Sequence, residues 1–505
     1  MVALPLKDRG WRSQIRFRPW GLDSTQQLVL ATILLVTTLV YLRCLSNGFV
    51  SDDYLEIVAN RYLAQWSTIW RSLLYSAGHF SLGQTCYYRP LKSLWSVLNF
   101  HVFGLHPAGW HALKLVLHLW VTLLTFRIAQ LLTDDVGAGL TAASVFALLP
   151  VHAEVVAWIS AIPEPLAAAF ELCALCCFIQ RRPEDWFGYF LPMVLFAAGL
   201  LSFEGAIVFP LLVVLYVFLF EAPSPALSAN DVRAGLDLAI RRSAPFVVLT
   251  VCYLAVRFVV VGKTEFSGHT IPDPHEAVSR LEAIALAPSA ILAYISSLIF
   301  PWDIGPFHRL EWVNGFGFAG FYSKLLLLTL GAILACLAAL SSSRRKLYSF
   351  CIGWFVITLL PALNVFETVT RVHLPATVQD RYLYLPSFGL CVIAGDLVVR
   401  FWRSHEAVRW VVVSVFAAAM MSYAAFVWRA ESFWHDDDAM LRRAVEVVPD
   451  SPTYHRRLAL RLEHEGDLTG AVREQQKAVQ LDPDDRFNRD YFDYLASRMN
   501  SEEAR

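Results

Sequence analysis

Apolar residues dominate the chain in runs of roughly twenty, broken by short polar or basic stretches, from residue 27 to residue 428. Beyond that point the pattern turns charged and water-soluble. A helical run of that length matches the hydrocarbon core of a bilayer. Lys and Arg in short flanking loops stay cytoplasmic, and Lys7, Arg9, Arg12, Arg16 and Arg18 precede the first run. Residues 1–26 therefore read as a basic cytoplasmic N-terminus. The stretch from Leu28 to Leu45 is too long for a signal-peptide core and lacks a small-residue cleavage site, so it is expected to stay as an anchor.

Crossings are expected near 27–45, 111–132, 137–157, 165–181, 187–202, 206–220, 244–262, 322–340, 348–363, 385–401 and 408–428. Residues 281–300 are apolar enough to cross, yet a crossing there would put Arg344, Arg345 and Lys346 outside. That segment is read as re-entrant or interfacial, giving eleven crossings, with twelve as the alternative. An odd count leaves the C-terminal tail on the outer face. Residues 46–110 form a long first outer loop whose Trp, Tyr and Leu spacing predicts interfacial amphipathic helices. The expected fold is all-α: a polytopic membrane bundle over 27–428 and a soluble outer domain over 429–505.

In the tail, Ala444 and Ala478 are 34 residues apart, and so are Pro449 and Pro483. That is the period of a tetratricopeptide (TPR) helix pair, which places small residues where its helices cross. Leu458, Ala459, Gly466, Ala471, Ala478 and Pro483 fill the expected positions, and Leu462 replaces the usual aromatic contact. Roughly one and a half repeats are present where about three make a stable solenoid. The tail should therefore pack on the membrane domain or on a protein partner.

Composition agrees: 56% of residues are hydrophobic and 17% charged, against about a quarter charged in an average soluble domain. The net charge of −1 predicts no nucleic-acid partner, since phosphate binding needs clustered basic surface. Eight of nine cysteines lie in or at apolar runs. Cys173, Cys176 and Cys177 lack the further His or Cys that a tetrahedral metal set needs, so they read as small buried hydrophobes. Cys86 stands alone in a loop and implies no disulfide framework.

Polar groups inside a membrane protein are costly and therefore informative. The projected topology gathers them on the outer face: Asp52 and Asp53, Arg89, His152, Glu154, Glu164, Glu204, Asp380 and Arg381. Adjacent carboxylates can raise one pKa, or let one orient a base while the other binds a cation. The pair could equally cap a helix starting near Tyr54. Glu164 between two prolines and Glu204 before Gly205 could mark turns. His152 could be a satisfied interface histidine. Arg381, beside Tyr382 and Tyr384, suits a lipid phosphate or simply snorkels.

All of these residues except Glu164 lie in the stretches SDDYL (51–55), YYRPLKSL (87–94), GLHPAGWHALKLVLH (104–118), LPVHAEVVAWIS (149–160), LLSFEGAIVFPLL (200–212) and DRYLYLPSFG (380–389). In that order, with the repeat tail, they resemble the C-class integral-membrane glycosyltransferases. The likeness is greatest to the transmembrane and TPR O-mannosyltransferase-like proteins and their bacterial relatives. The resemblance implies a sugar, mannose being one candidate, moved from a polyprenyl-phosphate carrier to an acceptor hydroxyl with inversion. Asp52, preferred over Asp53, would be the catalytic base. Arg381 would hold the carrier phosphate, with Arg89, His152, Glu164, Glu204, Asp380 and Tyr382 completing the substrate site. A divalent cation, magnesium or manganese, stays open as a cofactor, with Asp53 and Glu164 as its ligands. Implied partners are the lipid-linked donor, a protein or glycan acceptor, the bilayer, and a protein recruited by the tail.

The chain departs from the family pattern in three places. It has Ala161-Ile162-Pro163 where relatives carry a basic residue, Phe203 where a lysine is common, and Leu149 at the first His of the HPVH-like run. Those losses keep a catalytically silent scaffold as an alternative. A transporter fits less well, because no internal repeat is visible and the acids cluster at one face. Compact loops without evident glycosylation sequons favour a bacterial inner membrane over the endoplasmic reticulum, with the tail periplasmic or luminal.

Overall fold

A computed structural model describes residues 21–80, 87–181, 187–222, 229–261, 280–302, 304–306, 308–310, 318–363, 377–404 and 406–503. The five N-terminal basic residues and Cys86 lie outside the described residues. Helices follow in the order α1 (Ser24–Tyr41), α2 (Pro90–Phe103), α3 (Pro107–Thr133), α4 (Val136–Leu148), α5 (Pro163–Gln180), α6 (Phe187–Ser202), α7 (Phe209–Tyr216) and α8 (Ala229–Val261). Then come α9 (Arg280–Ile299), α10 (Ser323–Ser341), α11 (Arg345–Leu359), α12 (Ser387–Ser404) and α13 (Glu406–Ser432). The tail supplies α14 (Asp437–Val447), α15 (Pro452–Glu465), α16 (Leu468–Leu481) and α17 (Arg486–Glu503). Short helical turns fill the loops, and one two-residue antiparallel ladder pairs His308–Arg309 with Thr377–Val378. The protein is an all-α polytopic bundle.

Among the described residues eight helices are long and apolar enough to cross a membrane, or nine if the bent pair Val136–Leu148 and Pro150–Ala157 is one span. Each of the eleven expected crossings coincides with a helix. Two fall short as spans for visible reasons: α6 is short, and α12 carries Asp396, Arg400 and Arg403. The segment expected to be re-entrant or interfacial is a helix, Arg280–Ile299, packed against the start of α10. Lys324, in the first turn of α10, donates to Ser289 Oγ at 3.0 Å, midway along α9.

The bundle interior is aromatic and aliphatic. Phe178, Phe196, Phe209 and Phe246 meet with ring centroids 4.9–5.8 Å apart, around a single core that extends to Trp354 and Phe388. Two glycines let α12 close onto its neighbours. A Cβ on Gly395 would stand 2.4 Å from the Ala138 carbonyl of α4, and one on Gly389 would stand 2.4 Å from the Cys351 carbonyl of α11. The last residue of the DRYLYLPSFG stretch is thus glycine because a backbone lies against it.

At the end of the bundle carrying Asp135 and Arg344 the arginines are paired. Arg344 Nε lies 3.5 Å from Asp396 Oδ1 and donates from Nη1 to the Thr133 carbonyl at 3.2 Å, while Arg403 binds Asp135. Arg181 similarly reaches Glu221 at 3.1 Å.

The tail folds as helix pairs. Ala459, Ala471 and Ala478 are fully buried at the crossings, with Leu458 and Leu462 beside them. Gly466 ends α15 at φ 87°, the left-handed region that glycine enters without a Cβ clash. The tail also shares a core with the membrane domain. Val50, Trp158 and Ala161 pack with Trp434, Met440 and Tyr454, and the Trp158 and Trp434 rings stack at 5.1 Å.

Candidate active site

Asp52 and Asp53 sit in the turn between α1 and the helical turn Tyr54–Val58, and they face opposite ways. Asp53 is buried. Its Oδ2 accepts from Val50 N at 2.9 Å, and its Oδ1 accepts from Ser160 N at 2.8 Å and Ser160 Oγ at 2.5 Å. Burial raises its carboxyl above the usual carboxylate range, while those hydrogen bonds and the nearby Lys114 pull it back. Lys114, itself buried, donates to the carbonyls of Trp158 and Ile159. Asp53 therefore ties the loop to Ser160, with both its oxygens accepting from protein donors. Asp52 instead opens to solvent. Partial loss of hydration raises its carboxyl, Glu56 adds repulsion, and Arg457, Lys92 and Arg381 oppose the shift.

Arg381 stands on the helical turn Asp380–Leu383, which precedes α12. Its guanidinium meets Glu154 Oε1 at 2.7 Å and Glu164 Oε1 at 3.3 Å, and its backbone N–H donates to Glu154 Oε2 at 3.2 Å. The rings of Trp158 and Tyr382 lie 5.1 and 5.0 Å from the charge. The two carboxylates and Tyr382 raise the arginine pKa despite burial, so it is a permanent cation. Glu164 arrives because Pro163 starts α5 at a position where proline costs no hydrogen bond and the acid then favours the first turn.

A pocket between α5, the 203–208 segment, α11 and the 381–386 segment is lined by Glu164, Glu171, Phe203, Thr358, Arg381, Tyr382 and Leu385. Glu171 is buried, and its Oε2 has no hydrogen-bond partner among the described residues. A second recess holds Glu56, Asn60, Tyr87, Arg89, Lys92 and Ser93. Lys92 pairs with Glu56 at 2.6 Å. Arg89 bridges the two recesses, binding Glu204 through two contacts of 2.8 and 2.6 Å and lying 5.0 Å from the Phe203 ring.

Two expected substrate residues are engaged elsewhere. His152 is buried with both ring nitrogens occupied, Nδ1 by the Phe146 carbonyl at 2.8 Å and Nε2 by Ser387 Oγ at 2.9 Å. It positions the start of α12 rather than a ligand. Asp380 is buried against His308 Nε2 at 2.7 Å, which fastens the 308–310 segment beside the site. The expected metal ligands do not fit a divalent cation. Both Asp53 oxygens are engaged by protein donors and Glu164 is paired with Arg381. No group of three His, Cys, Asp or Glu among the described residues is arranged to hold an ion.

Several neighbours went unselected in the sequence. Glu56 and Lys92 lie inside or next to the matching stretches, and their charge on a helical loop was the available signal. Lys114 and Glu171 interrupt apolar spans, which is itself a mark of function or pairing in a membrane protein. Ser160 ends a matching stretch but is uncharged, and Tyr454 and Arg457 lie in the soluble tail, where polar residues are ordinary.

No family model matches the chain. It is 23% identical over 483 residues to the protein O-mannosyl-transferase TMTC4 of Mus musculus, covering 87% of this chain and 64% of that protein. It is 23% identical over 482 residues to the protein O-mannosyl-transferase TMTC3 of Homo sapiens, covering 89% and 51%. Among solved structures it superposes on the oligosaccharyltransferase of Archaeoglobus fulgidus with a TM-score of 0.44 and 11% identity, over 86% of this chain and 59% of that one. Both sequence relatives are named as protein O-mannosyl-transferases. The chain spans between half and two thirds of the length of these relatives.

Proposed function

We propose that this protein transfers a sugar, mannose first among candidates, from a polyprenyl-phosphate carrier to an acceptor hydroxyl, with inversion, at the outer membrane face. One observation carries the reading. A solvent-open carboxylate, Asp52, lies within electrostatic reach of an aromatic-flanked arginine, Arg381, and that arginine lines a largely apolar pocket between membrane helices. The names of the relatives support a glycosyl transfer to protein hydroxyls.

In the proposed step Asp52 takes the acceptor's hydroxyl proton as the oxygen attacks the anomeric carbon. The bond from that carbon to the phosphate oxygen breaks, and the carrier phosphate leaves with the electron pair. Arg381 stabilises the departing charge, acting in a partly dry site where such pairing is strongest. The contact a phosphate would displace is the longer one, 3.3 Å to Glu164, while Glu154 at 2.7 Å keeps the guanidinium aimed. Carboxylates near the sugar also favour an oxocarbenium-like transition state. No step uses a metal.

A silent scaffold is the second reading, favoured by the full pairing of Arg89 with Glu204 and of Arg381 with two acids. Purified protein in lipid nanodiscs, supplied with polyprenyl-phosphate mannose and serine- or threonine-containing peptides, decides between them. Transfer by the wild type and its loss in Asp52→Asn support the enzyme. No transfer by the wild type, or no binding of the carrier, would favour the scaffold, and wild-type turnover in both Asp52→Asn and Asp53→Asn would overturn the carboxylate mechanism.

A further inference from the structure

We propose that the helical tail is a clamp on the Asp52 loop, with Asp437 and Arg457 as positioning residues that hold Ser51 in the conformation that aims the carboxylate. The consequence for turnover rests on the transferase reading above; the clamp itself does not.

Ser51 has φ 55°, one of two non-glycine residues with positive φ among those described. An L-residue with a Cβ resists that region, so such a conformation persists only where surrounding contacts over-determine it. Here the contacts come largely from the tail. Ser51 N donates to Asp437 Oδ1 at 2.7 Å, and Arg457 Nη2 donates to Ser51 Oγ at 3.2 Å. Gly48 N donates to the His435 carbonyl at 2.8 Å. On its other side the loop is held by Trp158 Nε1, which donates to the Val50 carbonyl at 3.2 Å, and by the Asp53 carboxylate on Val50 N.

Both sides of the turn are thus fixed to other elements, and Asp52 is the exposed side chain between them. Asp437 and Arg457 come from α14 and α15, successive tail helices, so the grip depends on the helix pair being folded. A residue that merely covered the site would have no need to bind the backbone of the one strained residue beside the base. Arg457 also lies near enough to Asp52 to act on its charge.

The test uses the full chain in nanodiscs and the variants Asp437→Ala, Arg457→Ala, Ser51→Gly and the double variant Ser51→Gly/Asp437→Ala. The first readout is hydrogen–deuterium exchange over residues 48–56, which needs no activity. Asp437→Ala should speed it about tenfold, the size expected on losing one hydrogen bond to a charged acceptor, and Arg457→Ala should speed it by less. The second is steady-state transfer, where kcat should fall about tenfold while the donor KM stays within about twofold, because donor contacts lie on Arg381. Glycine adopts positive φ without the Cβ penalty, so the double variant should regain most of kcat while exchange stays fast. Unchanged exchange in both single variants overturns the clamp. So does fast exchange with wild-type kcat, or a double variant as slow as Asp437→Ala alone. If the wild type transfers no sugar, the transferase reading falls and the exchange result still decides the clamp.

Discussion

Adjacent carboxylates can serve different ends when the backbone between them turns, and residues 51–53 turn sharply. Asp53 accepts three hydrogen bonds and lies near the buried Lys114. Asp53→Asn removes the charge that offsets that cation and should destabilise the fold by roughly 3–5 kcal/mol, the cost of leaving a buried charge uncompensated. Thermal unfolding in nanodiscs checks it. Asp52→Asn disturbs no such network, so its melting temperature should stay near wild type while transfer falls by about 10²–10⁴, the usual contribution of a general base. A pH profile gives a second check. Asp52 acts only when ionised, and its pKa is raised, so kcat/KM should climb with pH through a midpoint above the ordinary value of about 3.9. A limb at or below that value would remove Asp52 from the role.

Elements meet most closely where a side chain is missing. Gly395→Ala would drive a methyl group to 2.4 Å from the Ala138 carbonyl, and overpacking of this kind costs about 1–3 kcal/mol. Because α12 follows directly on the Arg381 turn, the displacement should also lower transfer. Gly331, in the outward-facing α10, has nothing within 4 Å of a built Cβ. Gly331→Ala should be neutral or stabilising by up to about 1 kcal/mol, the helix-propensity difference. Melting temperatures of the two variants, compared side by side, test whether this packing is understood. The contrast also marks what the sequence could convey. Span positions follow from run length, and all eleven expected crossings fall on helices. The tail helices follow from a 34-residue spacing and from Gly466. Directions of side chains do not follow: the resemblance favoured Asp52 over Asp53, but that Asp53 is buried and Asp52 exposed is seen only in the folded turn, where Ser51 has φ 55°. His152 read as a substrate residue because its partners, the Phe146 carbonyl and Ser387, are six and 235 positions away. Arg381 was legible through its aromatic neighbours, whereas its pairing with Glu154 needed a contact spanning 227 residues.

At the scale of the molecule, the tail and the membrane domain share one core at the mouth of the site. Trp434 follows α13 directly, is 3% exposed and stacks on Trp158 at an interplanar angle of 12°. Trp158 in turn donates to Val50 and flanks Arg381. A single aromatic pair thus joins three things: the junction with the tail, the loop bearing Asp52 and the arginine proposed to hold phosphate. Trp434→Ala should cost about 3–5 kcal/mol, as removal of a buried tryptophan does. That loss falls on the docking of the tail more than on its own helices, whose buried Leu458, Ala459, Leu462, Ala471 and Ala478 are untouched. Limited proteolysis should then cut near residues 429–436 while leaving α15 to α17 protected, and Trp434→Phe should restore much of the protection by keeping a stacked ring. Equal resistance at the junction in wild type and Trp434→Ala would mean that the tail is held by its polar contacts alone, through Asp437, Arg457 and the reach of Arg443 to the Ile304 carbonyl at 3.5 Å.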